Sequence, residues 1–260
     1  MSLKLNEVSE FLNFAKKLVS LSEQIIKKNS PQKLKINFKY DKSPVTKIDT
    51  AIEKKLRSLI QKKYPNHGIY GEEFENKKLD SSYVWVIDPI DGTKNFINGN
   101  GSYGTLISLC KDGYPVFGII NSPDIKKRWI GIKDNGAYCN GVKIKKSSLD
   151  LSLKDLFFST SGMTAFKSIN KNRKYNALAK KTKYVSLGGD CVQYGLLAEK
   201  RIPLVVESFL KPFDYLPLIN IIEESGGIIT DWKGNPLNFK SDGDVVACVS
   251  KKAHKQFLKI

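Results

Sequence analysis

Two aspartates three residues apart, Asp88 and Asp91, stand in the stretch YVWVIDPIDGTKNF at residues 83–96. Beside them the chain offers the carbonyl of Ile90, the hydroxyl of Thr93 and the backbone N–H groups of Gly92 and Thr93. Carboxylates held close together repel one another unless a cation lies between them. A donor set made only of oxygens suits Mg2+. The N–H groups of Gly92 and Thr93, if they open a helix, face an anion such as phosphate. These residue types therefore point to a divalent cation beside a phosphate. Taken alone, Asp-x-x-Asp-Gly is equally an Asp-Pro turn followed by an Asp-Gly turn, both common between strands.

The element that must position the pair is the apolar run 84–87, which reads as a buried strand. Proline has no N–H and disfavours continued pairing, so the strand is expected to stop at Asp88-Pro89. Other acids lie where elements begin or end. Thr46 followed by Asp49, in SPVTKID, is a cap-plus-acid helix start. Glu72 belongs to a Glu pair after Gly71, for which a solvated turn is the plain reading. Asp190, after Gly188-Gly189, and Asp214, in KPFD, each read locally as a helix N-cap. Glu207 ends another apolar run, and Arg128 with Trp129 either lines a pocket or packs.

Around these residues, 3–28 repeat apolar positions every three or four, the pattern of a long amphipathic helix stopped by Asn29-Ser30-Pro31. Residues 34–40 alternate loosely, as a strand leading into a loop. A second amphipathic helix follows Thr46 through Ile48, Ile52, Leu56 and Ile60. Strands are expected over 104–109, 116–120 and 129–132, with a turn-rich hairpin over 133–141, giving an antiparallel sheet. Later strands at 156–159, 184–187, 204–207, 228–231 and 245–249 alternate with helices at 175–181, 190–199 and 215–225 and a short C-terminal helix. That alternation predicts a mixed sheet covered on both faces, in an α/β (α+β) fold. The polar connection 143–155 divides an N-terminal α+β half, 1–145, from a C-terminal α/β half, 146–260.

The chain has 260 residues, 41% hydrophobic and 27% charged, as expected of a soluble globular protein. No apolar stretch approaches the ~18–20 residues of a membrane span, and the charged N-terminus is not a signal peptide. Its four cysteines form no Cys-x-x-Cys pair, so reduced, packed thiols in a cytoplasmic protein are expected. With only His67 and His254 present, neither a zinc site nor a histidine base is expected. The net charge of +17 is carried by lysine, with arginine only at positions 57, 128, 173 and 201. Readers of nucleic acid favour the bidentate fork of arginine. The charge therefore reads as a solvated lysine-rich surface, and nucleic-acid binding as the rival class.

Several stretches together resemble the inositol monophosphatase family of Mg2+-dependent phosphatases. The string YVWVIDPIDGTKNF is similar to its signature, SPVTKID to its SPVTxAD element, and Gly71-Glu72-Glu73 to its GEE element. FDYLPLINIIEESGGIITDWKG resembles its second signature, with Phe213 for the usual Trp and Leu216-Pro217-Leu218 where small residues are common. The resemblance runs from about residue 42 to 249 and implies a layered α-β-α-β-α fold. It implies that Glu72, Asp88 and the Ile90 carbonyl hold one Mg2+, and Asp88, Asp91 and Asp214 a second, with two or three ions per site. It also implies that Asp49 and Thr93 orient and deprotonate the attacking water, while the N–H groups of Gly92 and Thr93 bind phosphate. Family likeness further implies a homodimer and inhibition by Li+.

GGDCVQYGLLA and LVVESFLKPFD, with GTLISLCKDGYPVFGIINSP and KKRWIG, look most like the histidinol-phosphate phosphatase branch. The LKPFD wording is similar to that branch's LKPYD and accounts for the missing Trp. This makes Asp190, Glu207 and Arg128 the expected substrate-binding residues, acids suiting the ammonium and imidazole of histidinol phosphate. Rivals within the enzyme class are inositol-1-phosphate and adenosine 3′,5′-bisphosphate as substrates. The rival outside it is a nucleic-acid-binding protein on an inactive phosphatase fold.

Overall fold

The computed structural model describes residues 5–29, 36–38 and 44–260. Helix α1 (Leu5–Lys28) is followed by a two-stranded ribbon, β1 (Ile36–Phe38) and β2 (Pro44–Thr46), and by α2 (Lys47–Lys63). The expected helix stop at Ser30-Pro31 and the ends of the expected 34–40 strand lie outside the described residues. Thr46 caps α2: its hydroxyl accepts from the N–H of Ile48, while Asp49 accepts from the N–H of Thr46 at 2.9 Å.

Next come β3 (Gly68–Gly71), β4 (Tyr83–Asp91), the short helix α3 (Thr93–Asn98), β5 (Gly104–Lys111), β6 (Tyr114–Ser122), β7 (Lys127–Ile132), β8 (Gly136–Cys139) and β9 (Val142–Lys143). These strands form one seven-stranded sheet in sequence order, antiparallel except for the β3–β4 pair. Along β4 the side chains alternate between two buried faces. Trp85 and Ile87 pack on the α1–α2 side, and Val86 packs on the other. Burial on both faces explains an unbroken apolar run where a one-sided strand would alternate.

The rest of the chain supplies β10 (Phe158–Thr160), α4 (Ile169–Lys181), β11 (Val185–Leu187), α5 (Asp190–Ala198), β12 (Leu204–Glu207), α6 (Pro212–Glu224), β13 (Ile228–Asp231), β14 (Val245–Cys248) and α7 (Lys251–Leu258). The second sheet has the order β11-β10-β12-β14-β13 and is mixed, as expected. Helices α5 and α6 lie between the two sheets, sharing a core with Val86, Leu106 and Trp129 of one and Val205, Val245 and Ala247 of the other. Helices α4 and α7 cover the far face through Leu178, Ala253 and Phe257. The layers are therefore α-β-α-β-α. The sheets divide within residues 144–157, and the α5–α6 core is built from residues of both sheets. Among the described residues no helix is long and apolar enough to cross a membrane.

Three local expectations need correction. Strand β4 does not stop at Asp88-Pro89 but runs to Asp91, with a register shift between Asp88 and Asp91. Pro89 sits in that irregular interval, where its missing N–H takes no bond from the ladder. Helix α4 begins at Ile169, six residues early, because Ser168 caps it by accepting from the N–H of Lys171. Helix α6 begins at Pro212, so Pro217 falls in the second turn rather than the first.

Helix α6 nonetheless sits hard on the first sheet. A Cβ at Gly118 would lie 1.8 Å from the Pro217 carbonyl oxygen, and one at Gly131 2.2 Å from the Asn220 carbonyl carbon. On α5, a Cβ at Gly195 would lie 2.4 Å from the indole of Trp129. Backbone cannot yield as a flexible side chain can. Gly118→Ala should therefore cost about 3 kcal/mol, the upper end for overpacking, in urea denaturation. A loss below about 1 kcal/mol would show that α6 can lift off the sheet without consequence.

Candidate active site

Strand β4 and helix α6 bring three carboxylates to one point. Asp88, Asp91 and Asp214 each offer an oxygen, and these oxygens all lie within 4.8 Å of one another. Asp214 is the third residue of α6, not its N-cap. Its carboxylate accepts from the N–H of Lys211 at 2.6 Å, which fixes it at the helix start. Asp91 accepts from the N–H of Cys191, at the start of α5, at 2.6 Å. Asp88 is 1% exposed, and its Oδ1 is buried with no hydrogen-bond partner in the protein.

The electrostatics follow from this crowding. Burial, then the charges of Glu72, Asp91 and Asp214, pushes the Asp88 carboxyl well above the usual range. Burial, then Asp190 and Asp214, does the same to Asp91, against the opposing bond from Cys191. Asp214 is pushed up to about 7, first by burial, with the Lys211 N–H opposing and Glu72 adding to the rise. Glu72, just beyond β3, adds its charge to Asp88 and Asp214 but is not one of the three acids whose oxygens lie within 4.8 Å of one another. An acceptor-only oxygen buried among like charges is costly unless a cation neutralises it. Carboxylate oxygens with the nearby Ile90 carbonyl fit a hard divalent ion such as Mg2+.

A second constellation adjoins the first. The Thr93 hydroxyl donates to the Ile90 carbonyl at 3.0 Å and reaches Asp49 Oδ1 at 3.5 Å. Asp49 therefore caps α2 with one oxygen and faces Thr93 with the other. Gly92 takes the left-handed conformation, φ 80°, and a Cβ there would lie 2.8 Å from the Ser102 carbonyl oxygen and 2.9 Å from Asp190 Oδ2. Glycine lets this turn close upon Asp190.

Beside the metal-type cluster lies a cavity of about 390 Å3, with Asp91, Lys94, Asp190, Glu207, Phe209 and Asp214 in its wall. Asp190 opens α5 with φ 38° but makes no side-chain cap. It accepts instead from the amide of Asn95 at 2.6 Å. Burial raises its carboxyl, opposed by Ser161, Asn95 and Lys94. Glu207, 2% exposed, accepts from the Ser161 N–H, the Ser161 hydroxyl at 2.7 Å, Gln193 at 2.6 Å and Thr160 at 3.2 Å. Burial pushes it up to about 7 despite these bonds. Arg128 lies elsewhere in the chain. It lines a different cavity with Glu23 and Asn121, donating to Asn121 at 2.6 Å and Glu23 at 3.4 Å. Trp129 packs, fully buried, under α5.

Sequence reasoning missed Asn95, Ser161 and Gln193. Asn95 stands inside the central motif, four residues after Asp91, and was legible as a possible neighbour. Ser161 carries no local signal, since only the pairing of β10 with β12 brings it to Glu207.

Comparison with known proteins gives the family. The model of the inositol monophosphatase family matches residues 7–260. The chain is 39% identical over 243 residues to the chloroplastic bifunctional phosphatase IMPL2 of Arabidopsis thaliana, covering 93% of this chain and 70% of that protein. It is 31% identical over 215 residues to a histidinol-phosphatase of Chlorobaculum parvum, covering 82% of each. A solved inositol monophosphatase from Zymomonas mobilis superposes with a TM-score of 0.86 at 37% identity, over 96% of this chain and 97% of that one. The chain belongs to the inositol monophosphatase family and is a phosphoric monoester hydrolase.

Proposed function

We propose that the protein hydrolyses L-histidinol phosphate to L-histidinol and phosphate. The orphaned, buried oxygen of Asp88 within the carboxylate cluster carries the metal-dependent part of this reading. Glu72, Asp88 and the Ile90 carbonyl would hold one Mg2+, and Asp88, Asp91 and Asp214 another. Bound there, Mg2+ supplies Lewis-acid polarisation of the phosphoryl group and stabilisation of the leaving oxygen.

The chain's own residues do the rest. The N–H groups of Gly92 and Thr93 bind phosphate oxygens. A water that donates to Thr93 Oγ1 is oriented towards phosphorus. As it attacks, its proton passes to Thr93 Oγ1 and the Thr93 hydroxyl proton to Asp49 Oδ1, the oxygen not used in capping α2, while the leaving histidinol alkoxide takes a proton from solvent. Asp190, with Asn95 as its protein partner in the cavity, accepts from a nitrogen of the substrate. Glu207 spends its oxygens on Ser161, Gln193 and Thr160, and so shapes the wall and adds negative potential. The relative named as a histidinol-phosphatase supports this choice of substrate, while the Zymomonas mobilis structure keeps inositol phosphate as the second reading. The family implies a homodimer. The lysine-rich charge alone favours nucleic acid.

Metal binding and pH are linked with a definite sign. Burial raises Asp214 and Glu207 to about 7 in the fold, well above the ordinary carboxylate range. Between that range and the raised values the folded state holds protons that the unfolded chain has lost, so stability falls as pH rises. With EDTA, the thermal midpoint should therefore drop from pH 5 to pH 8. Mg2+ at 100 times its dissociation constant should restore about 2.7 kcal/mol at the alkaline end. A midpoint that rises with pH in EDTA, or one indifferent to Mg2+, contradicts the cluster. Asp91→Asn should leave the fold intact and lower kcat at least a thousandfold, about 4 kcal/mol of barrier. Activity within about tenfold of wild type removes Asp91 from the ligand set.

Substrate choice follows from Asp190. A charge-assisted hydrogen bond to a cationic nitrogen is worth about 1.5–3 kcal/mol, which is at least about tenfold in kcat/KM over inositol 1-phosphate. Asp190→Asn should erode that preference while sparing a small generic phosphate ester. Equal or better turnover of inositol 1-phosphate by the wild type defeats histidinol phosphate as the substrate.

A further inference from the structure

Glu72 sits at the beginning of a turn whose next residues run along the surface, with Phe74 and Glu75 exposed. What holds that turn comes from α2. Asp49, Glu53 and Arg57 follow one another at intervals of four and form a single polar stripe on the buried side of the helix, beside the apolar stripe Ile48, Ile52, Leu56 and Ile60. Glu53 is fully buried and Arg57 is 6% exposed. Arg57 Nε donates to Glu53 Oε1 at 2.7 Å. Its two terminal nitrogens donate to the carbonyls of Glu75 and Phe74, each at 2.9 Å. The other oxygen of Glu53 accepts from the N–H of Glu73 at 2.8 Å. The pair thus grips the backbone of the three residues that follow Glu72. The residue before it, Gly71, lies against the same pair: a Cβ there would be 2.2 Å from Glu53 Oε1 and 2.6 Å from Arg57 Nη2.

A buried ion pair is weak evidence of stabilisation, because well-packed apolar residues serve a core as well or better. Here the pair's remaining hydrogen-bonding capacity goes to one backbone segment, and that segment carries Glu72. We propose that Glu53 and Arg57 are positioning residues that clamp the Glu72 turn, so that Mg2+ affinity is set in part from α2. The inference rests on Glu72 being a metal ligand, as in the proposed function. The same helix then aims Asp49 at the water and Glu72 at the metal. Lysine cannot replace arginine in this role, since one ammonium cannot pair with Glu53 and span both carbonyls in a planar fork.

The test is Mg2+ binding by calorimetry on the intact, substrate-free protein, with the Mg2+ dependence of turnover beside it. Arg57→Lys keeps the buried charge paired and should weaken Mg2+ binding by about tenfold or more, as loss of a ligand's supporting partner does. Its kcat at saturating Mg2+ should stay near wild type. Gly71→Ala, which pushes the turn away from an intact pair, should weaken binding in the same way and serves if Arg57→Lys does not fold. In a Glu72→Gln background Arg57→Lys should add little, because the clamp then has no ligand to place; a merely structural role would add in full. Wild-type affinity in both Arg57→Lys and Gly71→Ala, or full additivity with Glu72→Gln, overturns the clamp while leaving Glu72 a ligand. If Glu72→Gln itself binds Mg2+ as wild type does, the ligand assignment fails and the clamp falls with it.

Discussion

The mutual repulsion of carboxylates in a buried space is the constraint on which the rest of this structure depends. Asp88 is almost fully enclosed, one of its oxygens meets no donor, and Glu72, Asp91 and Asp214 crowd it. Left alone, such a cluster would neutralise itself by taking up protons or would push its elements apart. The fold resists the second outcome by fixing three of the site's acids through backbone donors. Asp91 is tied to the N–H of Cys191 and Asp214 to that of Lys211, while Asp49 closes the cap of α2. The negative potential is thereby kept in place for a cation to meet.

Rigid placement is also why the central helices lie so close to the first sheet. Gly118 and Gly131 bring the backbone of α6 against β6 and β7, and Gly195 brings α5 onto Trp129. Side chains at those glycines would move the helices outward, and with them Asp214 and Asp190. The departure Leu216-Pro217-Leu218 does not loosen this contact, because the approach is made between the sheet glycines and the helix main chain. Large apolar side chains on α6 are accommodated in the core shared by both sheets.

Much of the site was legible because local sequence and chemistry coincide there. Thr46 with Asp49 and the proline before Phe213 and Asp214 each declare a helix start, and the apolar run before Asp88 declares the strand that carries Asp88 and Asp91. A mixed sheet covered on both faces was legible because strand and helix patterns alternate in the second half, whereas the full layer order came from the family resemblance. What failed was whatever depended on partners distant in the chain. Pro89 looked like a strand end because a bulge opposite β5 cannot be read from one strand. Asp190 read as a cap, yet Asn95, 95 positions away, takes its carboxylate. Arg128 was expected beside the substrate from the branch resemblance, but the fold turns it towards Glu23 and Asn121 in the wall of another cavity. The polar first turns of α4 gave no periodicity to detect, and only the Ser168 cap marks its start.

The bond between the Cys191 N–H and Asp91 joins residues 100 positions apart, whereas the first sheet from β4 to β9 grows by consecutive hairpins. On a ribosome the two therefore mature at different moments. The hairpins can pair as soon as they emerge, because their contacts are local. Asp88 and Asp91 then wait with the sheet until α5 and α6 have been made, and Asp214 arrives last among the cluster's acids. An incomplete chain thus has Asp88 and Asp91 but lacks Asp214, so the group of three carboxylates, and the hydrolysis proposed to depend on it, is complete only in the finished molecule.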